Sequence, residues 1–164
     1  MKKTINMKLS MSEIIFDVQN KTYLTGKALD NNSNYAHVAN MQANDDDENA
    51  DQVLRSITMA VAQLRNRLAE YLDQSLSSSN NELLPDGEDI QFPLVMPSNY
   101  NSSAATALGA AAHQFIVATA IADWFAIMAK GETADYKVMA DAALAVLEET
   151  LCKRSRPVRG RAEG

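Results

Sequence analysis

AATALGAAAHQFIVATAIADWFAIMAK, residues 104–130, is apolar on nearly every side when wound as a helix. A helix of that kind has to be surrounded by other elements, and its alanines together with Gly109 let neighbouring backbones come close. Its 27 residues exceed the roughly 20 needed to cross a bilayer. However, His113, Gln114 and Asp123 interrupt it, and alanine adds little hydrophobicity. The reading adopted is a buried central helix with no membrane partner, with Phe115, Ile116, Trp124 and Phe125 in the core. The 164 residues suit one domain. Apolar residues at 46% and charged residues at 22% place the chain among folded globular proteins rather than disordered ones.

Pro97 to Ser103 supplies turn residues and an N-cap hydroxyl ahead of this helix. Ile90, Phe92, Leu94 and Met96 alternate as in a strand, and Pro93 within it belongs at an edge or a bulge because it has no N–H to donate. Ile5, Met7 and Leu9 alternate in the same way at the start of the chain. Two arrangements follow: these strands pair with one another, or Pro93 marks where a neighbouring subunit's strand begins. Ser10-Met11-Ser12-Glu13 matches a capping box. Met11, Ile14, Ile15, Val18 and Thr22 continue at helical spacing to a stop at Gly26. The Asn-rich residues from Lys27 to Asn44 predict a long surface loop, and Val53 to Leu72 predicts a strong helix. Ser75 to Gly87 reads as loop and turn. A last helix carries Tyr136, Met139, Ala143, Val146, Leu147 and Leu151 and ends before Pro157. The expected fold is mainly α: a bundle of about four helices over residues 1–152, a small two-stranded β-element, and a basic C-terminal arm at 153–164.

Charge is unevenly distributed. The net charge is −6, but residues 1–152 hold ten bases against twenty acids, while Lys153, Arg154, Arg156, Arg159 and Arg161 crowd the last dozen positions. An acidic body argues against a general nucleic-acid binder. The tail has two readings: a solubilising end, or an arm that binds an acidic surface, either nucleic acid or the body of a neighbouring copy. These five residues are the candidate partner-binding site.

Catalytic and metal chemistry find little support. One cysteine and two histidines leave no zinc cluster. Gly-rich phosphate loops and G-x-S-x-G elbows do not occur. Asp45, Asp46, Asp47, Glu48 and Asp51 read as a solvated helix start favoured by the macrodipole. The alternative, a Ca²⁺ loop, lacks the glycine and terminal glutamate of an EF-hand. His113 and Asp123, ten residues apart on one helix, face different ways and form no dyad. His113 therefore reads as a hydrogen-bonded core or interface residue, and His37 as a loop residue. Cys152 has Lys153 and Arg154 beside it but no identifiable base, so it reads as inert rather than nucleophilic. No enzyme activity and no cofactor is expected. The start of the chain lacks a signal-peptide pattern, so the protein is expected to stay inside the cell that makes it.

Pro97-Ser98-Asn99-Tyr100, the Ala-rich helix with Ile121-Ala122-Asp123-Trp124-Phe125, the helix from Ala134 and the closing Lys153-Arg154-Ser155-Arg156-Pro157 resemble small virion structural proteins of tailed phages. Among these the chain is similar to head–tail connectors, or neck adaptors. The resemblance implies a homo-oligomeric ring in the virion, made in the bacterial cytoplasm. It also implies a terminal arm docked on the portal, contacts with portal and tail proteins, and DNA passing through the lumen without specific binding. An acidic lumen would let DNA slide. The alternative is a small nucleic-acid-binding or packaging accessory protein that uses the basic tail as its contact.

Overall fold

The computed structural model of the chain describes residues 1–74 and 79–160; Ser75–Ser78 of the expected loop, and Arg161 with the rest of the tail's end, lie outside them. The order is β1 (Lys3–Leu9), α1 (Met11–Ala28), α2 (Tyr35–Met41), α3 (Asp47–Arg67), β2 (Ile90–Met96), α4 (Ala105–Met128) and α5 (Thr133–Leu151). Short 3₁₀ turns precede α4 and α5. The fold is mainly helical with one small antiparallel sheet, and α4 is its axis.

All four other helices and β1 pack on α4, with α5 lying along it most extensively. Leu108, Ala112, Phe115, Ile116, Ile121, Trp124 and Phe125 are buried on its several faces, and together with the other elements they form a single core. Burying one such large side chain contributes about 1.5–3 kcal/mol. Ser102–Met128 is long and apolar enough to cross a membrane, but half of that window is covered by the bundle. Polar bonds fix the register of the packing. Trp124 Nε1 donates to the carbonyl of Met41 at 2.8 Å, and the Tyr136 ring lies 5.5 Å from that of Phe125 while its hydroxyl bonds Thr25 Oγ1 at 2.7 Å.

The Asn-rich segment is not the long loop expected of it. Helix α1 runs past Gly26 to Ala28, and α2 follows as a fifth helix where about four were expected. Gly26 is buried within α1, and a Cβ there would lie 3.0 Å from the carbonyl oxygen of Val38. The glycine thus permits close approach of α2 instead of ending α1. Asparagines build the turn between the two helices. Asn32 takes a left-handed φ of 65°, a conformation asparagine tolerates. Asn34 accepts from the Asn31 amide at 3.1 Å and donates to the Leu29 carbonyl at 3.0 Å. Met41 and Ala43 are then buried, and Thr22 Oγ1 accepts the amide of Ala43 at 3.0 Å.

β1 and β2 pair with one another, from Lys3↔Met96 to Leu9↔Ile90. Pro93 is tolerated because its nitrogen faces away from β1. Its carbonyl accepts the Asp73 amide at 2.9 Å, and N–H and C=O of a strand residue share one edge. On that edge Tyr71 accepts from Val95 at 2.6 Å, and Leu72 bridges Leu94. Leu72 was expected as the last turn of a helix, but α3 stops at Arg67 and the chain crosses to the sheet. Pro93 halts this third pairing after one bridge, since it has nothing to donate back. The Ser10 cap is formed: its hydroxyl accepts the Glu13 amide at 3.4 Å.

Replacing the fully buried Ile116 with Asp should cost about 3–5 kcal/mol, the scale of an unpaired charge in a core. Urea unfolding measures it, and an unchanged midpoint would rule out α4 as the axis.

Candidate interaction site

The site is assembled from the two ends of the β-pair. At one end, after β2, the chain turns through Asn99–Asn101, and the residues following α5 lie antiparallel against it. The Asn101 amide donates to Lys153 O at 3.1 Å, the Ser155 amide donates to Asn99 O at 2.8 Å, and Tyr100 and Arg154 form the bridge between them. Tyr100 is buried beneath this bridge, and its carbonyl accepts Lys3 Nζ at 2.8 Å. Burial pushes its phenol pKa up, with the charge of Arg154 opposing the shift. The predicted contact residues therefore divide. Arg154 Nη1 donates to the Leu151 carbonyl at 2.9 Å, satisfying an open group at the end of α5. Lys153 Nζ donates to Glu149 Oε1 at 2.8 Å, which holds the Glu149 carboxyl below its ordinary range and raises Lys153. Arg156 and Arg159 are exposed beyond the bridge. Two carboxylates at this end are matched, Glu148 by Arg67 at 3.6 Å and Glu149 by Lys153.

The other end is acidic. A cavity of about 120 Å³ opens between α1, the start of α3 and the turn before β2. Ile15, Val53 and Leu54 supply its apolar lining, and Asp45 and Asp86 its carboxylates. Asp45 Oδ1 accepts Gln19 Nε2 at 2.5 Å. Asp46, Asp47, Glu48, Asp51, Glu88 and Asp89 are exposed in the neighbouring sequence, with Lys8 paired to Asp89 at 3.1 Å. The start of α3 is organised by Asn44 Oδ1, which accepts the Asp46 amide at 3.2 Å and Asn49 Nδ2 at 2.6 Å. Among the described residues, no three or more His, Cys, Asp or Glu side chains group as metal ligands.

The remaining polar residues secure helix contacts. His113 Nε2 pairs with Asp17 Oδ2 at 2.6 Å, joining α4 to α1, and Asp123 accepts a hydrogen bond from Ser56 Oγ, joining α4 to α3. His113 and Asp123 thus serve different neighbours, as their spacing required, and His113 is hydrogen-bonded as expected. Its partner Asp17 lies 96 positions away and carries no local signal. His37 sits exposed on α2 instead of in a loop, and Cys152 is exposed after α5. The acid-walled cavity was also missed, because Asp86 and Asp45 come to share its lining only through tertiary packing.

Comparison of the chain with protein-family models, curated proteins and solved structures finds no match.

In the Lys153→Ala variant, the Glu149 carboxyl should titrate at a higher pH than in the parent, because both causes of its depression are removed. A depressed carboxyl contributes stability above its unfolded value and loses it as pH falls through the folded value, so this small contribution fades on acidification only when Lys153 is present. Carboxyl-detected NMR titration checks it, and an unmoved Glu149 would show that the ion pair does not form in solution.

Proposed function

We propose that the protein is a virion structural subunit of a tailed phage, a head–tail connector (neck adaptor) that assembles as a homo-oligomeric ring docking on the portal. It works by assembly rather than by catalysis. The observation that carries this reading is charge separation: exposed arginines follow one end of the β-pair, and an acid-walled cavity lies at the other. A subunit with opposite ends of opposite sign favours head-to-tail contacts, which close into rings when the rotation per subunit divides a full turn.

The remaining acidic surface suits a lumen that DNA passes without binding. The arm beyond Ser155 reaches either the adjacent copy or the portal, gaining strength from equivalent contacts repeated around the ring. On this reading the protein is made in the cytoplasm of the bacterial host and ends in the virion neck, beside portal and tail proteins.

Purified protein should show closed rings by electron microscopy at low salt. Its mass by light scattering should fall toward that of a monomer at about 1 M salt, where the Debye length shrinks to about 3 Å. Removing residues 156–164 keeps the Tyr100–Arg154 bridge and should leave a folded monomer. A monomer at every salt concentration would instead overturn the ring, and nanomolar duplex binding lost on the same truncation would point to a packaging accessory protein.

A further inference from the structure

We infer that the cavity between α1, α3 and the Asp86 turn receives the C-terminal arm of a second copy, Val158 entering its apolar lining and Arg156 and Arg159 meeting Asp45 and Asp86. This rests on the ring reading and names the contact that would close it.

The chemistry of the two surfaces matches group by group. The cavity offers Ile15, Val53 and Leu54 with a carboxylate from each of two separate segments. The arm offers one aliphatic side chain, 93% exposed, between two exposed guanidiniums. Pro157 fixes its own φ and biases Arg156 toward extended backbone, so the arm is partly set in a shape suited to lying across a groove. A cavity of about 120 Å³ is on the scale of one aliphatic side chain rather than a larger ligand. Two basic groups in the neighbouring sequence are already engaged, Lys8 with Asp89 at 3.1 Å and Arg55 with the Asn81 carbonyl at 2.7 Å.

Topology makes the occupant a different copy. The arm is anchored at Asn99–Asn101, beyond the Met96 end of β2, whereas Asp86 precedes the Ile90 end. The seven residues of β2 span about 20 Å, while Val158 is three residues past Ser155, about 10 Å of extended chain. The arm falls short of its own cavity, and a neighbour stacked head to tail presents one. Each copy then gives an arm and receives one, which is the heterologous geometry of rings.

The test pairs a cross-link with a charge reversal, both in a Cys152→Ser background. Val158→Cys and Ala50→Cys, which places a thiol on the cavity wall, are mixed as separate proteins and oxidised at low salt. A disulfide-linked dimer containing one of each is expected. Asp45→Arg with Asp86→Arg should weaken assembly at least about tenfold in sedimentation, and Arg156→Asp with Arg159→Asp in the same chain should restore it. Circular dichroism confirms that each variant is folded. Rings of parental mass in the Asp45→Arg/Asp86→Arg protein, with no mixed disulfide, would overturn this contact and leave the ring reading standing. Failure of the parent itself to exceed a monomer would overturn both.

Discussion

An α-helix with no polar face has to be enclosed, and the architecture follows from enclosing α4. One neighbouring helix covers a stripe, so a helix apolar on every side needs several partners. Here α5, α3, α1, α2 and β1 all pack on it and together cover about half of its most apolar window. This explains why a chain of this size spends seven residues on α2, a helix too short to be stable alone. α2 packs on α4, Met41 is buried, and its carbonyl accepts the Trp124 indole N–H.

Apolar burial favours compactness without choosing an arrangement, and a set of polar contacts makes the choice. Ser56 with Asp123, Asp17 with His113, Thr25 with Tyr136 and Thr22 with Ala43 each tie one helix to a fixed height on another element. Removing Asp123, for example, leaves the buried Ser56 hydroxyl without that acceptor, a cost of about 1–3 kcal/mol. A shifted packing of the same apolar surfaces would break several such contacts together. The gap between the native arrangement and its competitors therefore rests on them more than on buried area.

What was legible in the sequence was what repeats locally. The alternation of Ile5, Met7 and Leu9, the stripe from Val53 to Leu64, the Ser10 cap and the all-round apolarity of α4 each express a period or a spacing within a few residues. The misreadings came where a residue's role is set from outside its own segment. Gly26 resembles a helix stop, but its smoothness serves α2. Leu72 keeps helical spacing with Leu68, but the bridge to Leu94 takes it into the sheet. The asparagines of 31–34 look like unstructured loop because their hydrogen bonds, made to one another and to Leu29, have no periodic signature. For the candidate site, the exposed Arg156 and Arg159 were readable from charge alone. The engagement of Lys153 and Arg154 with the end of α5 was not, nor was the sharing of one cavity lining by Asp45 and Asp86.

The bridge that holds Lys153 to Ser155 bears on how the short charged segment after it could hold the proposed assembly together. Ordering one residue costs about 1–2 kcal/mol of backbone entropy, and an exposed ion pair returns about 0–1 kcal/mol. Two arginines on a wholly free twelve-residue tail would therefore bind at a net loss. The Tyr100–Arg154 bridge alters that balance, because Lys153 to Ser155 are ordered before any partner arrives and Pro157 has little freedom to lose. Only a few residues then remain to be fixed at each contact, and burial of Val158 adds an apolar gain that screening by salt leaves largely intact. One such contact is still weak. In the proposed ring the same contact would be repeated, and breaking any one would leave both subunits held by their other neighbours, so a contact too weak for a pair would suffice for a closed oligomer.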